Sequence, residues 1–433
     1  MKKIKVAYIC AVSNQMIKSK LHYIDFAFAN KIRSWFGIPP LEIVDSAPWN
    51  TEFISEFEKD ADNEYYVISP QIGLRESVEK FDNNGIHYVF YNSKTSLYNR
   101  FLKKFLNWDE RTDYRHYRSI IKRQLAEINP DVVVVCGAEN PIYSLSALDV
   151  KDKPILVILQ TLLNSAKRME MGVGSAYRRD VESRVLKHAK YFSVIEQVAK
   201  DYLKEHNPNA TCFKFNFPTK EPVIDNTIEK EFDFIFFARG ITKFKGVEDT
   251  IKAFAIVHKS HPNATLNISG GCDSNYKKTL MQMIEDAGIE KSVSWHGHFD
   301  LHADVFKQLQ KARCVVVPGI TSALNSTVKE AMLMGLPTIV YETSATPEIN
   351  REKKCLITAK MEDIQDLADK MCDISKSPEL SAMVGTNGRE YALNNFSTPA
   401  TSKVLIDSIN SVIDNYRNRT PIPSNLIFTD ETV

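Results

Sequence analysis

The sequence carries almost no net charge. Its 55 Lys and Arg residues stand against 54 Asp and Glu, which leaves +1 over 433 residues. A nucleic-acid binder usually shows a basic excess, so this balance argues against that class. The chain also lacks any Cys-x-x-Cys pair. Its seven cysteines, Cys10, Cys136, Cys212, Cys272, Cys314, Cys355 and Cys372, are scattered and odd in number, and most lie in apolar runs such as VVVVCG and RCVVVPG. They read as reduced, buried thiols of a cytoplasmic protein. No apolar run is long enough to span a bilayer. The first residues, MKKIKVAYICAVSNQ, have a short apolar core and no small-residue cleavage site, so they read as a first strand rather than a secretion signal. Internal repeats and low-complexity segments are missing as well.

What is present is an ordinary globular composition, 43% apolar and 25% charged, in a chain too long for one core. Short apolar runs alternate with helical patterns, which predicts parallel α/β layers. Strands are expected at 4–10, 64–69, 86–91, 131–136, 154–159, 191–195 and 211–217. Helices at 114–128 and 175–190 separate some of them. The polar stretch PTKEPVIDNTIEK, 218–230, reads as a linker. The alternation then restarts, with strands at 233–238, 264–269, 293–297, 314–319, 337–342 and 355–358. Helices are expected between them at 247–259, 274–287, 302–312, 326–334, 361–374 and 378–394. The chain thus divides into a doubly wound first domain at 1–218 and a second at 231–396. A last helix over 397–416 and a tail that is irregular or a docking arm complete it.

Open parallel sheets bind ligands beyond the carboxyl ends of their strands. Those positions include Gly137 to Asn140, Gln160, Arg239, Gly270, Gly271, His296 and Gly319 to Ser322. They are rich in Gly and polar residues, as a cleft requires. In FFARGITKFKG, Arg239 leaves a strand, and Lys243 and Lys245 follow before Gly246 and a helix. Cations at a strand end beside a helix start suit a diphosphate: Arg offers a planar fork and Lys a point charge. The bland alternative is a solvated basic turn. In GITSALNSTVKEAMLMG, Asn325, Ser326 and Thr327 are all good N-caps, and the amides they precede face an anion well. Glu330 follows within about a turn, where a carboxylate can receive the vicinal hydroxyls of a ribose. Its bland reading is a capping-box Glu that serves the helix start alone.

These elements, in order, resemble the retaining glycosyltransferases of the GT-B fold, most of all the glycosyltransferase family 4 type. The resemblance rests on the Arg-to-Lys-Gly turn, the Gly270-Gly271 strand end, VVVPG, the polar loop running into Glu-Ala-Met-x-x-Gly-x-Pro, and SATPEI, and it spans roughly 232–395. It implies two doubly wound Rossmann-like domains facing a cleft, with the last helix packing back on the first. A nucleoside diphosphate sugar would bind the second domain and a glycan or lipid-linked acceptor the first, in bacterial surface polysaccharide or glycan assembly. By resemblance Arg239 and Lys245 hold the diphosphate, with Lys243 as a second candidate. Glu330 takes the ribose, the amides at Asn325, Ser326 and Thr327 support the phosphates, and Gly271 lines the site. No metal and no further cofactor is implied.

Three family features are absent. The carboxylate expected eight residues before Glu330 is Ser322, Gln160 stands where a His is usual, and AVSNQMIK replaces a Gly-rich loop after the first strand. These absences keep two other readings open: a catalytically weak or inactive GT-B partner subunit, and a nucleotide-sugar epimerase or phosphorylase. Three more stretches carry chemistry on paper. His296, His298 and His302 fall together in WHGHFDLHAD, read as a loop lining the donor site rather than a metal site. Asp60 and Asp62 form an Asp-x-Asp in a polar turn, read as surface. The segment 94–123 has nine Lys or Arg against three acids, with interleaved aromatics. Such a surface can rest on anionic headgroups at the inner face of a membrane, or be a solvated helical face with Phe, Leu and Trp turned inward.

Overall fold

A computed structural model describes residues 3–429 except 13, 25–29, 32–33, 36–46, 94–106, 171, 300, 321–323 and 344. Two compact units emerge: residues 1–217 with 402–433, and residues 218–401.

The first unit is built on one sheet of strands β1 (Ile4–Ile9), β2 (Asn63–Gln71), β3 (Val78–Asn83), β4 (Ile86–Asn92), β5 (Val132–Cys136), β6 (Ile155–Ile158), β7 (Tyr191–Val194) and β8 (Thr211–Lys214), in the order β3-β4-β2-β1-β5-β6-β7-β8. Its central strands are apolar on both faces because both faces are covered. Ala7 and Ile9 pack on one side, Val6 and Tyr8 on the other. Helices α1 (Pro48–Phe57), α2 (Arg115–Ile128), α3 (Ala176–His188) and α4 (Gln197–His206) supply much of the cover.

The second unit has β9 (Phe232–Ile241), β10 (Leu266–Cys272), β11 (Val293–His296), β12 (Ala312–Val316), β13 (Thr338–Tyr341) and β14 (Ile357–Ala359), all parallel, in the order β11-β10-β9-β12-β13-β14. The longer helices that follow them are α5 (Val247–Ser260), α6 (Ser274–Asp286), α7 (His302–Gln310), α8 (Ser326–Leu333), α9 (Ile364–Lys376) and α10 (Pro378–Asn395). Val247, Ile251 and Phe254 of α5 join the core on one face of this sheet; Val305 of α7 and Val328, Ala331 and Leu333 of α8 join the core on the other. Both units are therefore Rossmann-like.

A final helix, α11 (Thr398–Asn418), starts in the second unit and runs into the first. Leu405, Ile409, Val412 and Ile413 are buried in the first unit's core with Tyr8 and Val134. The tail after it is docked rather than loose. Phe428 N donates to Cys212 O at 2.9 Å beside a bridge from Phe213 to Ile427, so the tail covers the edge strand β8.

Three expectations need correction. β3 went unread, although Asn84-Gly85 signals a hairpin: both residues have positive φ (50° and 80°), and Asn83 opposes Ile86 across a two-residue turn. The stretch 218–230 is not a free linker. Thr219 N donates to Phe396 O at 2.8 Å, and Lys230 Nζ donates to Gln310 O and Ala312 O at 2.8 and 2.9 Å, so it lies on the second unit. β9 and β10 also run three residues further than read, to Ile241 and Cys272.

Ile409 is fully buried, and truncating such a residue costs the lost transfer energy plus a cavity. Ile409→Ala is expected to destabilise the first unit by ~2–4 kcal/mol. Calorimetric melting checks this: the transition that moves should be the one lost when residues from 402 onward are deleted.

Candidate functional site

In the second sheet the chain starts at β9, winds out through β10 and β11, then returns to β12 beside β9. The helices after β9 and β12 go to opposite faces, so the loops leaving these neighbours part. That is the topological switch point where open sheets bind ligands.

Arg239 lies near the end of β9 and is exposed. Next to it the register with β10 shifts between Ser269 and Gly271, so that Gly271 pairs with Gly240. Gly270 has φ 132°, and a Cβ there would stand 1.8 Å from Ala238 O. Only glycine allows the two strands to close this way. After β9 a single 3-10 turn, Lys243–Lys245, ends at Gly246, whose φ is 83°. A Cβ on Gly246 would lie 2.1 Å from Pro318 O. The exit of β12 therefore crosses the end of the basic turn, and Ile320 N donates to Phe244 O at 3.1 Å. Two motifs far apart in sequence share one seam.

That exit leads into α8. Asn325 caps it, with Oδ1 accepting from Val328 N at 3.2 Å. The amides of Ser326 and Thr327 belong to the first turn, which has no intrahelical acceptors. Ser326 is exposed and Thr327 buried. Glu330 sits five residues in, beyond the N3 position that a capping box uses. The capping reading fails on that spacing, and the carboxylate has another partner: His302 Nε2, at the start of α7, lies 3.0 Å from Glu330 Oε1. Arg239 acts electrostatically on the same imidazole, as does Lys220. The second unit thus brings together Arg239, Lys243, Lys245, Gly271, Asn325, Ser326, Thr327 and Glu330 along the carboxyl edge of β9, β10 and β12. Ser322 lies outside the described residues.

Gln160 belongs to the first unit, just beyond β6, where its Nε2 donates to Cys136 Sγ at 3.0 Å. Its neighbours form a polar cluster around Gly137. From the Cβ position of that glycine (φ 107°), Glu139 Oε2, Tyr143 OH and Gln160 Oε1 lie at 3.1, 3.4 and 3.5 Å. Glu139 is only 5% exposed and its Oε2 accepts no hydrogen bond among the described residues. Burial pushes its carboxyl above the usual range, against bonds from its own and Ala138's backbone and the charge of Arg178. The loop beyond Gln160 is fixed by buried Glu182, which accepts from Leu163 N and Asn164 N at 2.8 and 2.9 Å.

The sequence places His302 with His296 and His298 in a loop lining the donor site but does not reveal its contact with Glu330. No spacing signal pairs 302 with 330; only the sheet order sets the starts of α7 and α8 at one edge. His296 is apart, stacked on Phe299 at 4.2 Å. Asp60 accepts from Tyr65 OH at 2.6 Å and Asn63 Nδ2 at 2.7 Å, and so locks its own turn. Of the basic segment, 94–106 lies outside the described residues. Beyond it Trp108 is exposed, contrary to the inward-facing reading, while Arg118 is held by Asp113 and Asp149. Among the described residues no helix is long and apolar enough to cross a membrane.

The fold is the two-domain architecture seen in solved GT-B glycosyltransferase structures. Residues 219–391 match the family model of glycosyl transferases group 1. An uncharacterized glycosyltransferase of Methanocaldococcus jannaschii is 30% identical over 122 residues, covering 28% of this chain and 29% of that one. The putative glycosyltransferase EpsD of Bacillus subtilis is 25% identical over 186 residues, 43% of this chain and 47% of EpsD. The chain thus spans less than half the length of these curated relatives. Among solved structures, sucrose-phosphate synthase from Thermosynechococcus elongatus superposes with TM-score 0.62 at 15% identity, over 93% of this chain and 97% of that one. HepE of Anabaena, in complex with UDP and glucose, gives 0.60 at 12% identity, over 94% and 100%. At such identities the likeness is one of fold.

One group in α8 works against stability. Lys329 is buried with its Nζ 4.9 Å from the Phe396 ring, and burial pushes its ammonium down to about 8. The unfolded value is about 10.4, so folding penalises the charged form in full below about pH 8, and the penalty fades as pH rises towards 10.4. Lys329→Met is expected to gain ~1–3 kcal/mol at neutral pH and to lose that gain by about pH 10. Urea melts at the two pH values check it.

Proposed function

We propose that the protein is a glycosyltransferase that moves a sugar from a nucleoside diphosphate sugar to an acceptor hydroxyl. The observation that carries this reading is the seam at the β9/β12 switch point. There the Ile320–Phe244 hydrogen bond and the glycine contact at Gly246 set the basic turn against the loop that enters α8. The family match over 219–391 supports it independently.

In such a transfer negative charge builds on the leaving diphosphate while the anomeric carbon becomes cationic. Groups already aimed at that charge need no reorganisation when it appears. Arg239 supplies a fork of donors, Lys243 and Lys245 supply point charges, and the first amides of α8 add the positive end of a helix dipole. Glu330 accepts a ribose hydroxyl. On the first unit the acceptor-rich strand ends at Glu139, Asn140 and Gln160 suit a ligand that donates hydrogen bonds, such as the acceptor sugar. Retention of configuration, through proton transfer from the acceptor to the leaving phosphate, follows the resemblance of the second unit to family 4. No enzyme nucleophile is required. A role in surface polysaccharide or glycan assembly, and membrane contact through 94–123, belong to the same reading.

Isothermal titration with ADP, GDP and UDP tests the donor half. Arg239→Ala and Lys245→Ala should each weaken the tightest nucleotide by ~1–3 kcal/mol, the scale of one charge-assisted bond. Glu330→Gln should weaken it with little change in melting temperature. Affinity equal to wild type in all three variants would remove the nucleotide from this edge.

A further inference from the structure

The imidazole of His302 lies between Glu330 and solvent. Its side chain is 59% exposed, while that of Glu330 is 7% exposed. The ring stands edge-on to Phe306, centroids 4.6 Å apart at 82°, which fixes its plane. Nε2 faces Glu330 Oε1 at 3.0 Å. Among the described residues no hydrogen bond reaches the other carboxylate oxygen. A carboxylate held at one oxygen keeps its direction and presents the second oxygen to a ligand.

We propose that His302 is a positioning residue for Glu330: it fixes the carboxylate so that one oxygen receives a nucleoside hydroxyl, and its charge makes nucleotide affinity fall as pH rises. This rests on Glu330 receiving a ribose, and it adds to that reading both a second residue and a pH dependence.

The charged groups around the imidazole come from three elements. The Glu330 carboxylate on α8, through its hydrogen bond and its charge, holds the imidazolium above the ordinary histidine range. Burial opposes this, as do Arg239 on β9 and Lys220 on the 218–230 stretch. A raised folded value means that the ion pair is fully formed below the unfolded pKa of about 6.5 and is lost as pH passes the folded value. With the imidazolium present, Glu330 is neutralised towards a polyanionic ligand and Arg239 is reinforced. With neutral imidazole, a buried carboxylate faces the diphosphate with its charge uncompensated.

Calorimetry with ADP, GDP and UDP on the full chain, from about pH 7 to about pH 9 where the phosphates are already ionised, reads this out. Wild-type affinity for the tightest nucleotide should fall roughly three- to tenfold over that range. His302→Gln keeps a donor but cannot charge, so its affinity should fall less than that of wild type over this range; any residual slope reports other groups such as Lys329, whose ammonium burial pushes down to about 8. His302→Ala loses both functions and should bind more weakly than His302→Gln at every pH. In parallel, the ring-proton resonance of His302, assigned by its loss in His302→Gln, should titrate above the ordinary histidine range and drop in Glu330→Gln. Parallel pH profiles for wild type and His302→Gln, or an unchanged His302 titration in Glu330→Gln, would overturn this inference and leave the donor site standing. Failure of wild type to bind any of the three nucleotides would overturn both.

Discussion

The second unit is organised around the absence of one side chain. Gly246 has a left-handed backbone beneath the Pro318 carbonyl, so close that a Cβ would lie 2.1 Å from the oxygen. That contact lets the exit of β12 lie over the turn that follows β9. From it follow the Ile320–Phe244 hydrogen bond and the position of Gly319, whose own Cβ site is 3.6 Å from Asn325 Nδ2 and 3.7 Å from Phe244 O. A larger residue at 246 would have to move a strand exit, not a flexible side chain, and with it the relation between the basic turn and the cap of α8. The sheet order explains why the contact falls here: α5 and α8 leave adjacent strands for opposite faces, so the loops between strand and helix are the one place where the two motifs meet.

The apolar helix α8 is the second half of the same device. Val328, Ala331, Met332 and Leu333 are buried. Its C-terminus is closed by Gly335 in the left-handed conformation, with Leu336 N donating to Ala331 O and Gly335 N to Met332 O, and by the Arg389 guanidinium on Leu333 O. A helix so enclosed has little freedom to rotate or slide. Its two adjacent charged residues point about 100° apart: Lys329 over Phe396 at a cost in desolvation, and Glu330 towards His302 at the edge of the sheet. A carboxylate on a helix packed this tightly is preorganised by the core rather than by other site residues.

This explains what the sequence made legible. Strands such as VVVVC and FIFFA declare themselves because a parallel strand covered on both faces must be apolar throughout. Arg239, the Lys243–Lys245 turn and Glu330 stand out as charges where such runs end. The hairpin β3–β4 was legible in Asn84-Gly85 but was missed, because VEKFDN is a half-exposed edge strand without an apolar run. The stretch 218–230 is polar, yet it is bound through backbone groups and Lys230, and composition does not record backbone hydrogen bonds. His302 was the least legible. Its partner lies 28 residues away across a strand, and no local period joins them.

The two units also differ in the chemistry of their carboxyl edges. The second presents cations and first-turn amides, all hydrogen-bond donors suited to an anion. The first presents the buried Glu139 Oε2, which accepts nothing among the described residues, beside Gln160 Oε1. A buried acceptor left without a donor is costly, and a ligand bearing hydroxyls relieves that cost where a phosphate would add to it. The Gln at 160 fits the same logic. Its amide donates to Cys136 Sγ, which turns its oxygen towards Gly137 and Glu139, whereas an imidazole there would become a donor on protonation. The amide at 160 cannot gain a proton, so its oxygen stays an acceptor at every pH, while the Glu139 carboxyl beside it, raised by burial, remains titratable.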